Sequence, residues 1–318
     1  MAPGSVIRHG EVPMRWLGQL IMQGRWQAAG VAGLFGILSW VFAPASFLSG
    51  AAIGLVSLRL GAQAGMAVLL AAAAIGMLGS LIVTHGLFAI ASLALVLWLP
   101  VWVCSQVLRT SGSQGLMLAV IGVLAMLFAA AMRWYFDDVE LWWLEMLQRV
   151  AANVSAQRNV EIDPDILRLA AKTMNALAAA LFSVSLTLTI LFARWWQGLL
   201  YNPGGFRVEA ETLRLPRALG LPVALLVAFV AGMFAYHGEY FGLLADVMIV
   251  TVTLYFFQGL AVIHHSARVR GWGKGPLIAV YAAVLLLPNV ALVAAAALGL
   301  LDHFTNIRRL PSGPPAEN

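Results

Sequence analysis

The sequence predicts an all-α fold: a polytopic transmembrane bundle of about nine helices with an amphipathic helical segment on its outer side. Three observations carry this. Of the 318 residues, 61% are hydrophobic and 10% charged, where a soluble domain has roughly 45–50% and about 25%. The apolar residues form long runs free of Asp, Glu, Lys and Arg, at 26–58, 64–108, 220–236 and 276–301, and about 20 such residues in a helix cross a ~30 Å hydrocarbon core. The runs also lack the polar–apolar alternation of a membrane barrel, which leaves helices as the structure that satisfies its own backbone in lipid.

Residues 1–25 read as a cytoplasmic N-terminal segment. Within it Met14, Leu17, Leu20 and Ile21 share one helical face, the pattern of a short interfacial helix. The run 26–58 would reach ~50 Å as one helix, and Pro44 breaks it, giving spans at 26–43 and 45–60. Apolar sequence continues at once past Ala43-Pro44-Ala45, so the first run reads as a retained span rather than a cleaved signal. Arg59 and the glycine-rich turn at 61–65 follow. The run 64–108 is again too long for one crossing, and Thr84-His85-Gly86 divides it into spans three and four. Arg109 and a polar loop at 111–115 precede span five, at 115–136.

The segment 137–171 is the one sizeable polar stretch. Trp143, Leu147, Val150 and Val154 recur there at spacings of four, three and four, an amphipathic helical period. Asp163-Pro164 reads as a helix start, and that helix runs into span six, at 171–196. Asn202-Pro203-Gly204-Gly205 is a turn. Spans seven, eight and nine lie at 219–236, 241–265 and 276–300, so that 172–301 holds spans six to nine and 302–318 forms a C-terminal tail. Pro288 and Asn289 interrupt the last span, which leaves open an eight-span form with a re-entrant hairpin and the C-terminus inside.

With the N-terminus inside, twelve of the 19 Lys and Arg residues fall in inner segments, as the positive-inside rule requires of a bacterial inner-membrane protein. Most of the others border the long outer segment, where charge counts less. The net charge of +5 is scattered over short loops, so it points to headgroups and not to nucleic acid. The single cysteine, Cys104, lies in an apolar run and reads as a packed side chain.

Ionisable groups at membrane depth are costly and by default suggest function. Asp246 is the first candidate. Glu239 and His237 stand just before it, and other outer helix ends supply His85, Asp302 and His303. The six are either one outward-facing ligand pocket or six separate interface residues that reach water. No His-x-x-x-His or paired cysteines fix a metal geometry, so neither a metal nor another cofactor is expected. His-Glu-x-x-His, a phosphate loop and Gly-x-Ser-x-Gly are all absent, so no enzyme is expected. Ala28, Ala32 and Gly36 form a small-residue stripe on span one, suited either to internal packing or to docking on a partner.

Leu58-Arg59-Leu60-Gly61 with Ala64-Gly65, then Gly259 to His264, then Gly299-Leu300-Leu301-Asp302 with Arg308, resemble the YybS-like family of bacterial membrane proteins, a domain of unknown function. That family is similar in turn to the S-components of energy-coupling-factor transporters. The resemblance implies a solute-binding membrane protein whose first spans, through Ala28, Ala32 and Gly36, dock on a membrane scaffold or transporter module. The sequence departs from S-components in its larger number of spans and in lacking a histidine at the extreme N-terminus. The expected function is thus transporter-like binding of a small solute, and the alternative is a structural or assembly protein that docks other membrane proteins.

Overall fold

The structure, a computed structural model, describes residues 11–83, 88–158, 162–237 and 242–309. Every regular element among them is helical. In chain order these are α1 (Glu11–Met22), α2 (Arg25–Leu38), α3 (Ala45–Leu60), α4 (Ala62–Val83), α5 (Phe88–Leu93) and α6 (Leu99–Ser111), the last two joined by a π-turn. Then come α7 (Gln114–Tyr135), α8 (Val139–Arg158), α9 (Pro164–Tyr201), α10 (Gly205–Glu211), α11 (Gly220–His237), α12 (Gly242–Val269), α13 (Lys274–Leu286) and α14 (Pro288–Thr305).

Six stretches are long and apolar enough to cross a membrane: Ala62–Leu81, Ile90–Ser111, Gln114–Tyr135, Pro164–Tyr201, Gly242–Val269 and Pro288–Thr305. Ala45–Leu60, Arg217–Met233 and Lys274–Leu286 are apolar but shorter. The protein is therefore a multi-pass membrane protein.

Two expected spans differ in form. Span one ends at Leu38 and not near 43, and the chain turns before Pro44. Span nine is two helices. Pro288 has no N–H to continue α13, and Leu287 takes φ −132° and ψ 57° at the break.

The ends of the elements follow local chemistry. Gly112 takes the left-handed conformation at φ 65° to close α6, and its N–H donates to the Leu108 carbonyl. The Ser113 hydroxyl then accepts from the Leu116 N–H to open α7. Asp138 and Asp163 accept from Leu141 and Asp165 at the starts of α8 and α9. In α8 the expected apolar stripe is packed at one end only: Trp143 and Leu147 are partly buried, while Val150 and Val154 are exposed.

The chain divides into two compact units. The first comprises Met1–Met117 and Ser185–Ala210, and the second Leu118–Val184 and Glu211–Asn318. In the first unit, Ala28, Ala32 and Gly36 are buried. Trp98 packs against Gly36, and its indole donates to Ser49, which donates to the Ala32 carbonyl. The small-residue stripe thus packs within this unit. Trp196 donates to the Met14 carbonyl at 2.6 Å and ties α1 to α9.

The second unit has a core of Ala125, Ala129, Ala179 and Val250, flanked by stacked Phe128 and Phe182. Beside it α12 and α14 pack closely. Gly259 faces Ala295 and Gly299 faces Tyr255, pairings that run in opposite directions, so the two helices are antiparallel. A Cβ at either glycine would strike backbone atoms of the facing helix, which is why this contact requires glycine.

Candidate functional site

The second unit buries two carboxylates on long apolar helices, and each is held by arginine. Asp246, 1% exposed, sits one turn into α12. Its Oδ2 accepts from Arg133 Nε at 2.6 Å and from Asn175 Nδ2 at 2.7 Å, and its Oδ1 accepts from Arg133 Nη2 at 3.2 Å. The fork of the guanidinium thus meets the carboxylate edge-on, the strong geometry for such a pair. Arg133 comes from the last turn of α7 and Asn175 from α9, so one acid joins three helices. Asn175 also donates to the Ala129 carbonyl. Its own Oδ1 is buried and has no hydrogen-bond partner among the described residues.

Asp302 lies fully buried near the end of α14. Arg308 donates to its two oxygens at 2.8 and 3.3 Å, and Gln258 of α12 donates to Oδ2 at 3.1 Å. Arg214 approaches the same oxygen at 3.9 Å and donates to the carbonyls of Asp302 and His303. Those carbonyls lie in the last turn of α14, where the Asp302 carbonyl also accepts from the Asn306 N–H, and a cation there suits the helix dipole. Gln258 is satisfied at both ends. Its Oε1 accepts from the Leu215 N–H, and its Nε2 also donates to the Gly299 carbonyl. Arg308 further donates to the Glu211 carbonyl, and the Glu211 carboxylate pairs with Arg268. Three arginines therefore surround two acids, in a network running from α10 to beyond α14.

His303 completes this second cluster. The Arg217 carbonyl can only accept, so His303 Nε2 donates to it at 3.3 Å, and Nδ1 shares a hydrogen bond with the Tyr255 hydroxyl at 3.2 Å.

Of the six residues singled out in the sequence, Asp302 and His303 come together. Asp246 stands apart, because Gln258 is twelve residues further along α12, a rise of ~18 Å. His85 and Glu239 lie outside the described residues, as does the side chain of His237. Among the described residues, no group of three or more His, Cys, Asp or Glu side chains is arranged to hold a metal.

In comparison with known protein families, residues 29–303 match the family described as "Predicted membrane protein (DUF2232)". The chain belongs to that family. No curated protein and no solved structure matched it.

Sequence reasoning did not assign Arg133, Asn175 and Arg214 to a site. Arg133 reads as an ordinary cation at a helix end, and its acid is 113 positions away. Asn175 lies in a run of small and apolar residues with no local signal beyond its polarity. Asp302 and Arg308 were linked only as parts of a shared motif. They are an ion pair because Asn306 takes a left-handed φ of 55° and turns the chain back.

Proposed function

We propose that the protein is a non-enzymatic, transporter-like membrane protein that binds a small polar solute at Asp246, Arg133 and Asn175. The observation that carries this reading is the state of that cluster. A carboxylate buried on a helix long enough to span a membrane is paired to an arginine and held by an amide whose carbonyl oxygen lacks a donor. An orphaned buried acceptor costs about 1–3 kcal/mol, and a solute N–H or O–H would satisfy it. His237 and Glu239 precede the same end of α12 in sequence. The charge asymmetry of the loops supports a bacterial inner membrane with the N-terminus in the cytoplasm, and the resemblance to S-components supports a binding role over catalysis.

The test is native mass spectrometry of the protein released gently from its own membrane. The expected result is a co-purifying small molecule that is lost in Asp246→Asn and not regained in Asp246→Asn/Arg133→Gln, where charge balance and folding are restored. If the double variant retains the molecule, the cluster is a structural ion pair. A bound protein and no small molecule would favour the assembly reading instead.

A further inference from the structure

A second polar site lies in the first unit. It is a cavity of about 210 Å³ lined by Arg59, Arg194, Gln197, Tyr201, Asn202 and Glu209, among others. Arg194 is already neutralised, since it donates to both oxygens of Glu209 at 2.8 and 2.7 Å and to Gln197 at 2.5 Å. Arg59 is different. It lies over the Tyr201 ring at 4.2 Å and has no acidic partner among the described residues. The cavity thus offers one uncompensated guanidinium, oriented by an aromatic face, together with side-chain amides.

Next to it is an open apolar groove of about 390 Å³ formed by Phe47, Leu188, Leu191, Phe192, Trp195 and Phe206. Phe206 borders both spaces. The order along the helices is regular. Gly50 faces Thr189 and Gly54 faces Ala193, so α3 and α9 run parallel here. Along α9 the wall is apolar from Leu188 to Trp195 and polar from Gln197 to Asn202. From Leu188 to Gly198 the rise is ~15 Å, half of a ~30 Å hydrocarbon core and so one leaflet.

We infer that this groove and cavity form a binding site for one anionic phospholipid. The acyl chain lies along Leu188, Phe192 and Trp195, and the phosphate is held by Arg59 on Tyr201. A free phosphate would use the cavity and leave the groove idle, whereas a zwitterionic lipid would bring an ammonium along with its phosphate and so add no net charge to balance Arg59. The lipid that carries both features fits both spaces. The site is independent of the solute-binding reading, because it shares no residue with Asp246, Arg133 and Asn175.

The test uses the full chain in mild detergent with phosphatidylglycerol, phosphatidylethanolamine of the same acyl chains, or inorganic phosphate, and counts bound lipid by native mass spectrometry. Phosphatidylglycerol should be retained about fivefold above phosphatidylethanolamine. Arg59→Gln should remove that preference, the loss expected for one cation near an anionic surface, and Arg59→Lys should keep most of it. Leu188→Glu should lower retention of both lipids. Equal retention of the two lipids by the wild type overturns the inference, as does unchanged preference in Arg59→Gln or a complete loss in Arg59→Lys. Displacement of phosphatidylglycerol by millimolar inorganic phosphate would make the cavity an ion site and overturn the lipid assignment.

Discussion

In the first unit the fully buried polar groups include an indole N–H and several hydroxyls. In the second they include two carboxylates. Trp98, Ser49 and the Ala32 carbonyl form a neutral relay in the first unit, and an ion pair of that unit, Arg194 with Glu209, is about one-third exposed. Asp246 and Asp302 in the second unit are at most 1% exposed. A neutral hydrogen bond adds about 1 kcal/mol to stability. A buried ion pair adds little in net terms, but removing one partner is strongly destabilising. The comparison teaches that the first unit is built to stay folded, while the second carries charge that folding alone does not demand.

The largest expected effect tests the helix contact on which the second unit depends. Gly259→Leu places a side chain against the backbone of Ala295 and should cost about 4 kcal/mol or more, beyond ordinary overpacking. The readout is the loss of monodisperse protein and a large fall in thermal midpoint. Gly30 in the first unit has open space around it, and Gly30→Leu should leave the midpoint nearly unchanged. Equal effects of the two would erase the contrast.

Next in size, Asp302→Asn keeps the shape of the side chain but leaves Arg308 and Arg214 beside a neutral amide. The expected loss is about 3 kcal/mol, measured by denaturant unfolding in detergent, with partial recovery in Asp302→Asn/Arg308→Gln. A loss below about 1 kcal/mol would mean that the network is no more demanding than an exposed pair. The smallest effect belongs to the first unit. Trp98→Phe keeps most of the ring but removes the donor to Ser49, and should cost about 1–2 kcal/mol.

Much of the fold was legible because bilayer thickness converts apolar run length into helices. The breaks at Pro44 and Asn202-Pro203-Gly204-Gly205, the helix start at Asp163-Pro164 and the interruption at Pro288 all lie at helix boundaries of the structure. Helix length was less legible. The α2 helix ends at Leu38, short of Pro44, and no periodicity announces that end. The site was legible only as a set of costly residues. Asp246 and Asp302 stand out because apolar surroundings make any carboxylate conspicuous, but the arginine that pairs with Asp246 lies 113 positions away, and only Arg308, six positions from Asp302, is near its acid in sequence. Hydropathy records how far a residue lies along the chain and carries no information on which helix stands beside it.

Arg214 donates to Asp302 and His303 across separations of 88 and 89 residues, and Arg308 reaches the Glu211 carbonyl across 97. During synthesis, Glu211 and Arg214 therefore leave the ribosome long before the groups they meet. Contacts of such separation form late, and the N-terminal parts of a chain organise first. The segment 211–217 consequently waits while four more helices, α11 to α14, are made. Ribosome stalling or proteolysis before residue 302 would leave a membrane-inserted intermediate lacking the acid and the carbonyl collar that Arg214 is built to meet, a form that quality-control proteases can distinguish from the finished protein.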